Sequence, residues 1–203
     1  MEEREVIVIV DYGMGNLPNV KRALNLYSED VVISSDIEII KKADKILLPG
    51  VGAFGDAMRN IDKLGMREVL VEASKIKPFL GICLGMQLLF EGSEEDSSEK
   101  GLGIIKGSVK KFKDIELKVP EIGWNSVKKP KESKILKGLA DGSYFYFVHS
   151  YHVVPEEEVA AGVTEYGYEF VSVIEKGNIM ATQFHPEKSH DEGLKILKNF
   201  VEL

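Results

Sequence analysis

The chain has 203 residues, 44% of them hydrophobic, with a formal net charge of −7 and 1 cysteine. That length predicts one domain over residues 1–203 with a sizeable core, and the acidic balance argues against nonspecific nucleic-acid binding, which wants a basic face. The single cysteine excludes an internal disulfide and points to a reducing, cytoplasmic compartment. Met1-Glu2-Glu3-Arg4-Glu5 lacks the basic start of a signal peptide, and Val6–Val10 is too short to span a bilayer.

In chain order, hydrophobic periodicity predicts a buried strand at Val6–Val10, a helix at Asn16–Ser28, a strand at Val31–Ser34, a helix at Asp36–Ala43 and a strand at Lys45–Leu48. Helices near Asp56–Leu64 and Arg67–Ile76 lead to a strand at Phe79–Ile82 and a helix at Met86–Glu91. The acidic stretch Ser93–Lys100 reads as a solvated loop. Short strands follow at Leu102–Phe112, Ser143–Val148, Val159–Tyr166, Phe170–Glu175 and Ile179–Phe184, and a helix closes the chain at Asp191–Val201. The fold class is therefore α/β, a mostly parallel central sheet flanked by helices, with antiparallel additions in the second half.

Chemistry concentrates at strand ends. Gly81-Ile82-Cys83-Leu84-Gly85 has the layout of a nucleophile elbow, with small residues two before and two after the nucleophile where strand and helix backbones crowd. A thiol there sits at a helix N-terminus, which favours thiolate. In Gln183-Phe184-His185-Pro186-Glu187 the proline biases His185 to extended backbone, which brings Glu187 to the same side as the imidazole. The three form a nucleophile, a base and a carboxylate that orients the base. Glycines around Val51, in Pro49-Gly50-Val51-Gly52, allow peptide N–H groups to turn into a pocket. Leu84 N–H would be the second oxyanion donor.

Asp11-Tyr12-Gly13-Met14-Gly15-Asn16 begins like a dinucleotide fingerprint, but Pro18 occupies the third glycine position. The segment reads instead as a tight turn with Asn16 as helix N-cap, and no cofactor or metal is expected.

These segments, with Gly123-Trp124-Asn125 and Tyr144-Phe145-Tyr146-Phe147-Val148-His149-Ser150-Tyr151, run in an order that resembles the class I (triad) glutamine amidotransferases. Within that superfamily the chain is similar to the HisH family, the glutaminase subunits of imidazole glycerol phosphate synthase. The elbow and His-Pro-Glu are superfamily features, whereas Asp11–Leu17 and Gly-Trp-Asn are more particular. His152 stands where an aromatic residue is expected.

The resemblance implies hydrolysis of glutamine through a Cys83 γ-glutamyl thioester. It also implies that Gln87, Glu91 and backbone groups near Ser150 and Tyr151 hold the amino-acid end of the substrate. A partner is implied as well: HisF, a (β/α)8-barrel cyclase that receives ammonia through a dry passage in histidine biosynthesis. Asn16, Trp124, Asn125 and Lys188 would lie near its docking face. A glutaminase of another pathway, a cysteine peptidase on a related elbow and a redox-sensing module built on Cys83 remain the alternatives.

Overall fold

The computed structural model describes residues 5–203, so Met1-Glu2-Glu3-Arg4, the start of the segment weighed as a signal peptide, lies outside the described residues. The elements of the first half are β1 Ile7–Val10, α1 Leu17–Leu24, β2 Val31–Ser34, α2 Ile37–Lys42, β3 Lys45–Gly50, α3 Phe54–Lys63, α4 Arg67–Ile76, β4 Phe79–Cys83 and the single turn α5 Leu84–Gln87. After them come β5 Gly92–Ser93, β6 Asp96–Lys100, β7 Gly107–Lys111, β8 Glu121–Val127, β9 Ser143–His149, β10 Tyr151–Pro155, β11 Ala160–Tyr166, β12 Tyr168–Lys176 and β13 Ile179–Thr182. A 3-10 turn at Pro186–Lys188 precedes α6, His190–Val201.

The main sheet runs β2-β1-β3-β4-β13-β12-β10-β7-β5-β6, with β11 paired to β12. Strands β2, β1, β3, β4 and β13 are parallel neighbours. From β13 through β12 and β10 to β7 the pairing is antiparallel. Helices cover both faces of the parallel half, which explains why β1, β3 and β4 read as continuous apolar runs rather than alternating ones.

Pleating sends neighbouring side chains to opposite cores. Val8, Val10, Ile46 and Leu48 pack with Ile40 of α2, Phe54, Met58 and Ile61 of α3 and Leu70 of α4. Ile7, Ile9 and Leu47 pack with Val20 and Leu24 of α1 and Ile196, Leu197 and Phe200 of α6. Each such fully buried side chain contributes about 1.5–3 kcal/mol relative to exposure. Those buried residues are the apolar stripe that made α1 and α6 legible as helices.

Several expectations need correction. The elbow helix is one turn, Leu84–Gln87, because the chain must bend at once to bring Leu88, Leu89 and Phe90 into the core. Ser93–Lys100 is not a solvated loop: it forms β5 and β6, and Arg59 of α3 grips it through Asp96 and Glu99 at 3.0 Å each. The run from Leu102 becomes a strand only at Gly107, and the strands β8 and β10 lie where no element was expected. Asn16 occupies the N-cap position of α1 without a side-chain capping bond; Pro18 in the first turn sets the helix start instead. Strands β8 and β9 form a two-stranded ribbon of their own rather than an addition to the main sheet. Among the described residues no helix is long and apolar enough to cross a membrane.

Candidate active site

Cys83 closes β4 with φ 54° and ψ −111°, a backbone conformation that a non-glycine residue rarely adopts. The flanking glycines explain how the strain is tolerated. A Cβ on Gly85 would stand 1.8 Å from the Leu48 carbonyl oxygen, and one on Gly81 would stand 2.9 Å from the Gly85 carbonyl oxygen. The strand and the turn after it touch backbone to backbone, so the thiol is forced up from the carboxyl edge of the sheet. Because α5 is only one turn, local N–H groups, led by Leu84 N–H with no acceptor available within its own helix, replace a long helix dipole as the source of positive potential.

Strand β13, the other neighbour of β4, delivers the expected base, His185. After Thr182 the chain carries Gln183 and Phe184 to His185, which is extended at φ −99° and ψ 96°. Glu187 then lies in the 3-10 turn, not further along an extended strand, and its Oε1 stands 2.8 Å from His185 Nδ1. Both side chains are almost wholly buried, at 3% and 2% exposure. Burial pushes the imidazolium pKa down, but the Cys83 sulfur and the Glu187 carboxylate outweigh it and raise the value to about 10. His185 Nε2 and Glu187 Oε2 are the buried side-chain polar atoms without a hydrogen-bond partner among the described residues. An unpaired Nε2 facing the sulfur is a proton acceptor or donor held ready for a reacting group.

Cys83 and His185 share a cavity of about 260 Å³ with Val51, Gly52, Leu84 and Gln87. The segment expected to hold the oxyanion therefore lines the same cavity as Cys83. Gly52 has φ +100°, which favours glycine, and a Cβ on Gly50 would stand 2.3 Å from the Tyr12 hydroxyl. Tyr12 donates to the Pro49 carbonyl at 2.8 Å and braces this strand end from behind. Its phenol is held well above the usual range by burial first and by Cys83 second. Sequence reasoning took Tyr12 as part of a turn and missed this support; nothing local in the sequence pairs residue 12 with residue 49.

On the opposite wall, Gln87 Nε2 donates to the Tyr151 carbonyl at 3.1 Å and to Gln183 Oε1 at 3.2 Å, while Gln183 Nε2 reaches Cys83 Sγ at 3.8 Å. Ser150 and Tyr151 line the cavity as expected from the sequence. Glu91 does not. With the elbow helix ended at Gln87, Glu91 is exposed and its carboxylate accepts from Gly107 N–H at 2.9 Å. Glu95 occupies the cavity instead and accepts from Phe54 N–H at 2.8 Å, which ties the hairpin of β5 and β6 to the start of α3. Reading that hairpin as a solvated loop is what hid Glu95.

The chain matches the family model for glutamine amidotransferase class-I over residues 8–203. It is 56% identical over 198 residues to imidazole glycerol phosphate synthase subunit HisH of Methanocaldococcus jannaschii, covering 98% of this chain and 100% of the relative. Against HisH 1 of Methanococcus maripaludis it is 52% identical over 203 residues, covering 98% and 100%. The chain belongs to the HisH family of class-I glutamine amidotransferases. Two solved structures share the fold: a glutamine amidotransferase, with TM-score 0.75, 16% identity and coverage of 97% and 99%, and PurLQS from Thermotoga maritima, with TM-score 0.73, 17% identity and 98% coverage of each chain.

Of the residues expected near a docking face, Trp124 and Asn125 lie on β8 and Lys188 lies over Tyr146 of β9, whereas Asn16 lies at the start of α1. Trp124 is 46% exposed and stacks on His190 at 4.9 Å with an interplanar angle of 5°. Lys188 stands 5.9 Å over the Tyr146 ring. Asn125 turns inward, donating to Glu121 Oε1 at 2.8 Å and to the Glu165 carbonyl at 2.9 Å. Asn16 is exposed at the start of α1. Ile122 and Tyr144, at 63% and 60% exposure, extend the apolar part of this face, so Tyr144 is not the sheet packing that its place in the aromatic run Tyr144–Tyr151 suggests. His152 fills its unexpected position by packing against Phe112 and Phe170, with its Nε2 2.8 Å from the Tyr168 hydroxyl.

Proposed function

We propose that this chain hydrolyses L-glutamine to glutamate and ammonia with Cys83 as nucleophile, His185 as acid and base, and Glu187 as the carboxylate that orients the imidazole. The observation that carries the reading is the strained Cys83 sharing one cavity with a buried His185–Glu187 pair whose Nε2 is free. As a HisH-family glutamine amidotransferase it acts in histidine biosynthesis, as a subunit of imidazole glycerol phosphate synthase.

The Cys83 thiolate adds to the side-chain amide carbon of glutamine, and the electron pair of the carbonyl moves to oxygen. Leu84 N–H and a peptide N–H of the Gly50, Val51, Gly52 segment hold that oxyanion, each such donor being worth about 3–4 kcal/mol in the transition state. The imidazolium of His185 gives its proton to the departing nitrogen, ammonia leaves and a γ-glutamyl thioester remains. His185 then takes a proton from water, the thioester is cleaved, and glutamate leaves with the thiolate restored. Glu187 stabilises the imidazolium at each stage. At the amino-acid end, the Glu95 carboxylate is placed to receive the substrate ammonium, with Gln87 and backbone groups at Ser150 and Tyr151 completing the subsite.

Ammonia protonates in neutral water, so its use by a synthase requires a dry exit. A HisF-type cyclase docked over Asn16, Trp124, Asn125 and Lys188 supplies one in this reading. Docking also completes the oxyanion site at Val51, which at 39% exposure lies at the cavity mouth. The folded chain acts as one domain in the cytoplasm. The test is glutamate release by the chain alone, with a HisF-type cyclase, and with cyclase plus its ligand. A rise on adding both supports the reading; equal rates in all three discard the coupling, and no release in any discards the glutaminase.

A further inference from the structure

The Glu121–His149 pair has no part in the chemistry above, yet His149 forms part of the cavity wall. It joins the last rung of the ribbon, where Glu121 of β8 is registered with His149 of β9. The side chains are 3% and 2% exposed, and His149 Nε2 lies 3.0 Å from Glu121 Oε2. The other ring nitrogen, Nδ1, lies 2.7 Å from the Tyr151 carbonyl, which can only accept, so Nδ1 carries a proton. A continuous chain of polar contacts results: Asn125 to Glu121, Glu121 to His149, His149 to the Tyr151 carbonyl, that carbonyl to Gln87, Gln87 to Gln183, and Gln183 to Cys83 Sγ.

We propose that His149, held by Glu121, is a positioning residue for the amino-acid end of glutamine: by donating from Nδ1 to the Tyr151 carbonyl it fixes the backbone and the Gln87 side chain that line the subsite. A buried polar pair adds little stability over an apolar pair of similar volume. A fully satisfied polar network does fix geometry, because each member has one low-energy arrangement. The inference rests on the glutaminase reading and adds a specificity element to it.

The two ring nitrogens can be tested separately, since an asparagine amide sits where Nδ1 does and a glutamine amide reaches where Nε2 does. In the full chain, His149→Gln raises the KM for glutamine at least tenfold, His149→Asn raises it less than threefold, and kcat falls less than threefold in both. A merely structural histidine would lower thermal stability in both variants and leave their KM values indistinguishable, which overturns the proposal. Should either variant fail to fold, the Cys83→Ser chain gives a second measurement: the His149 Nδ1 resonance in ring nitrogen NMR moves on saturation with glutamine. A resonance that stays in place overturns the proposal. Failure of the glutaminase reading is read separately, as absence of glutamate release from the unaltered chain.

Discussion

Gly50, the last residue of β3, is registered directly beside Cys83, the last residue of β4. The sheet therefore sets the height of the oxyanion segment against that of the sulfur through a backbone ladder, with no side chain between them. Gly50→Ala would place a methyl 2.3 Å from the Tyr12 hydroxyl and 2.9 Å from Leu84 Cβ. The expected result is a fall in kcat of about 10²–10³-fold, the usual cost of losing one oxyanion donor. Tyr12→Phe in the same chain removes the nearer clash and recovers part of the lost melting temperature. Steady-state glutamate release and thermal melts check both.

Cys83→Ala and Cys83→Gly should both abolish glutamine hydrolysis but differ in stability. The observed φ of 54° costs alanine about 1–3 kcal/mol and costs glycine little. Glycine's larger entropy loss on folding takes back about 0.5–1 kcal/mol. Cys83→Gly should therefore unfold at higher denaturant than Cys83→Ala, by about 1 kcal/mol in free energy. Equal midpoints would show that the strand end relaxes and stores no strain.

The His185–Glu187 pair predicts a pH dependence of stability. The folded pKa of His185, about 10, lies above the ordinary histidine value of 6.5, so the folded state binds the proton more tightly. Its stabilising contribution is complete below about pH 6.5, declines as pH rises, and is lost above about pH 10. Glu187→Gln removes one of the two charges that raise the value. Urea melts between pH 6 and 10 should show a shallower decline in this variant, and its kcat should fall by about 10²–10⁴-fold.

Glu95 and Glu91 provide a contrast of two carboxylates four residues apart. Glu95→Gln should raise the glutamine KM by about 10–100-fold, the loss of a charged hydrogen bond of about 1.5–3 kcal/mol, with little change in kcat. Glu91→Gln retains an acceptor for Gly107 N–H and should move KM less than twofold. Equal effects would mean that the hairpin carrying Glu95, together with Glu91 just before it, rearranges when substrate binds.

Trp124→Ala should weaken binding of a HisF-type cyclase by about 2 kcal/mol, the cost typical of an aromatic anchor. The stack on His190 holds the indole against the body of the protein, so the ring loses little freedom on docking. His190→Ala should reproduce part of the loss. Calorimetric titration of the cyclase into each variant measures it, and unchanged affinity in Trp124→Ala would move the docking face elsewhere.

Much of this was legible in the residues because the chemistry leaves sterically determined marks. Gly81 and Gly85 announced the elbow since no side chain fits there, and Pro186 announced that His185 leaves its strand extended. Apolar runs at Val6–Val10 and Lys45–Leu48 announced strands covered on both faces. Glu95 was hidden because a charged hairpin, held by Arg59 from a distant helix, has the composition of a loop. The ribbon of β8 and β9 was half hidden: Glu121–Val127 alternates exposed Ile122 and Trp124 with inward Asn125, so its inner face is polar rather than apolar. Glu91 was placed by extending a helix that tertiary packing cuts off after Gln87. The contacts of Tyr12 with Pro49 and of His149 with Glu121 are long-range, and no local pattern encodes them.

The proposed nucleophile, oxyanion segment and base are carried at the ends of β4, β3 and β13, three adjacent rails of one parallel ladder, whereas the proposed docking surface rides largely on a ribbon that pairs with itself. Exchange of the ribbon's outer residues would retarget the chain to another ammonia consumer without disturbing the reaction centre. The graft has a natural terminus at the Glu121–His149 rung, beyond which a change of partner would also become a change of substrate pocket.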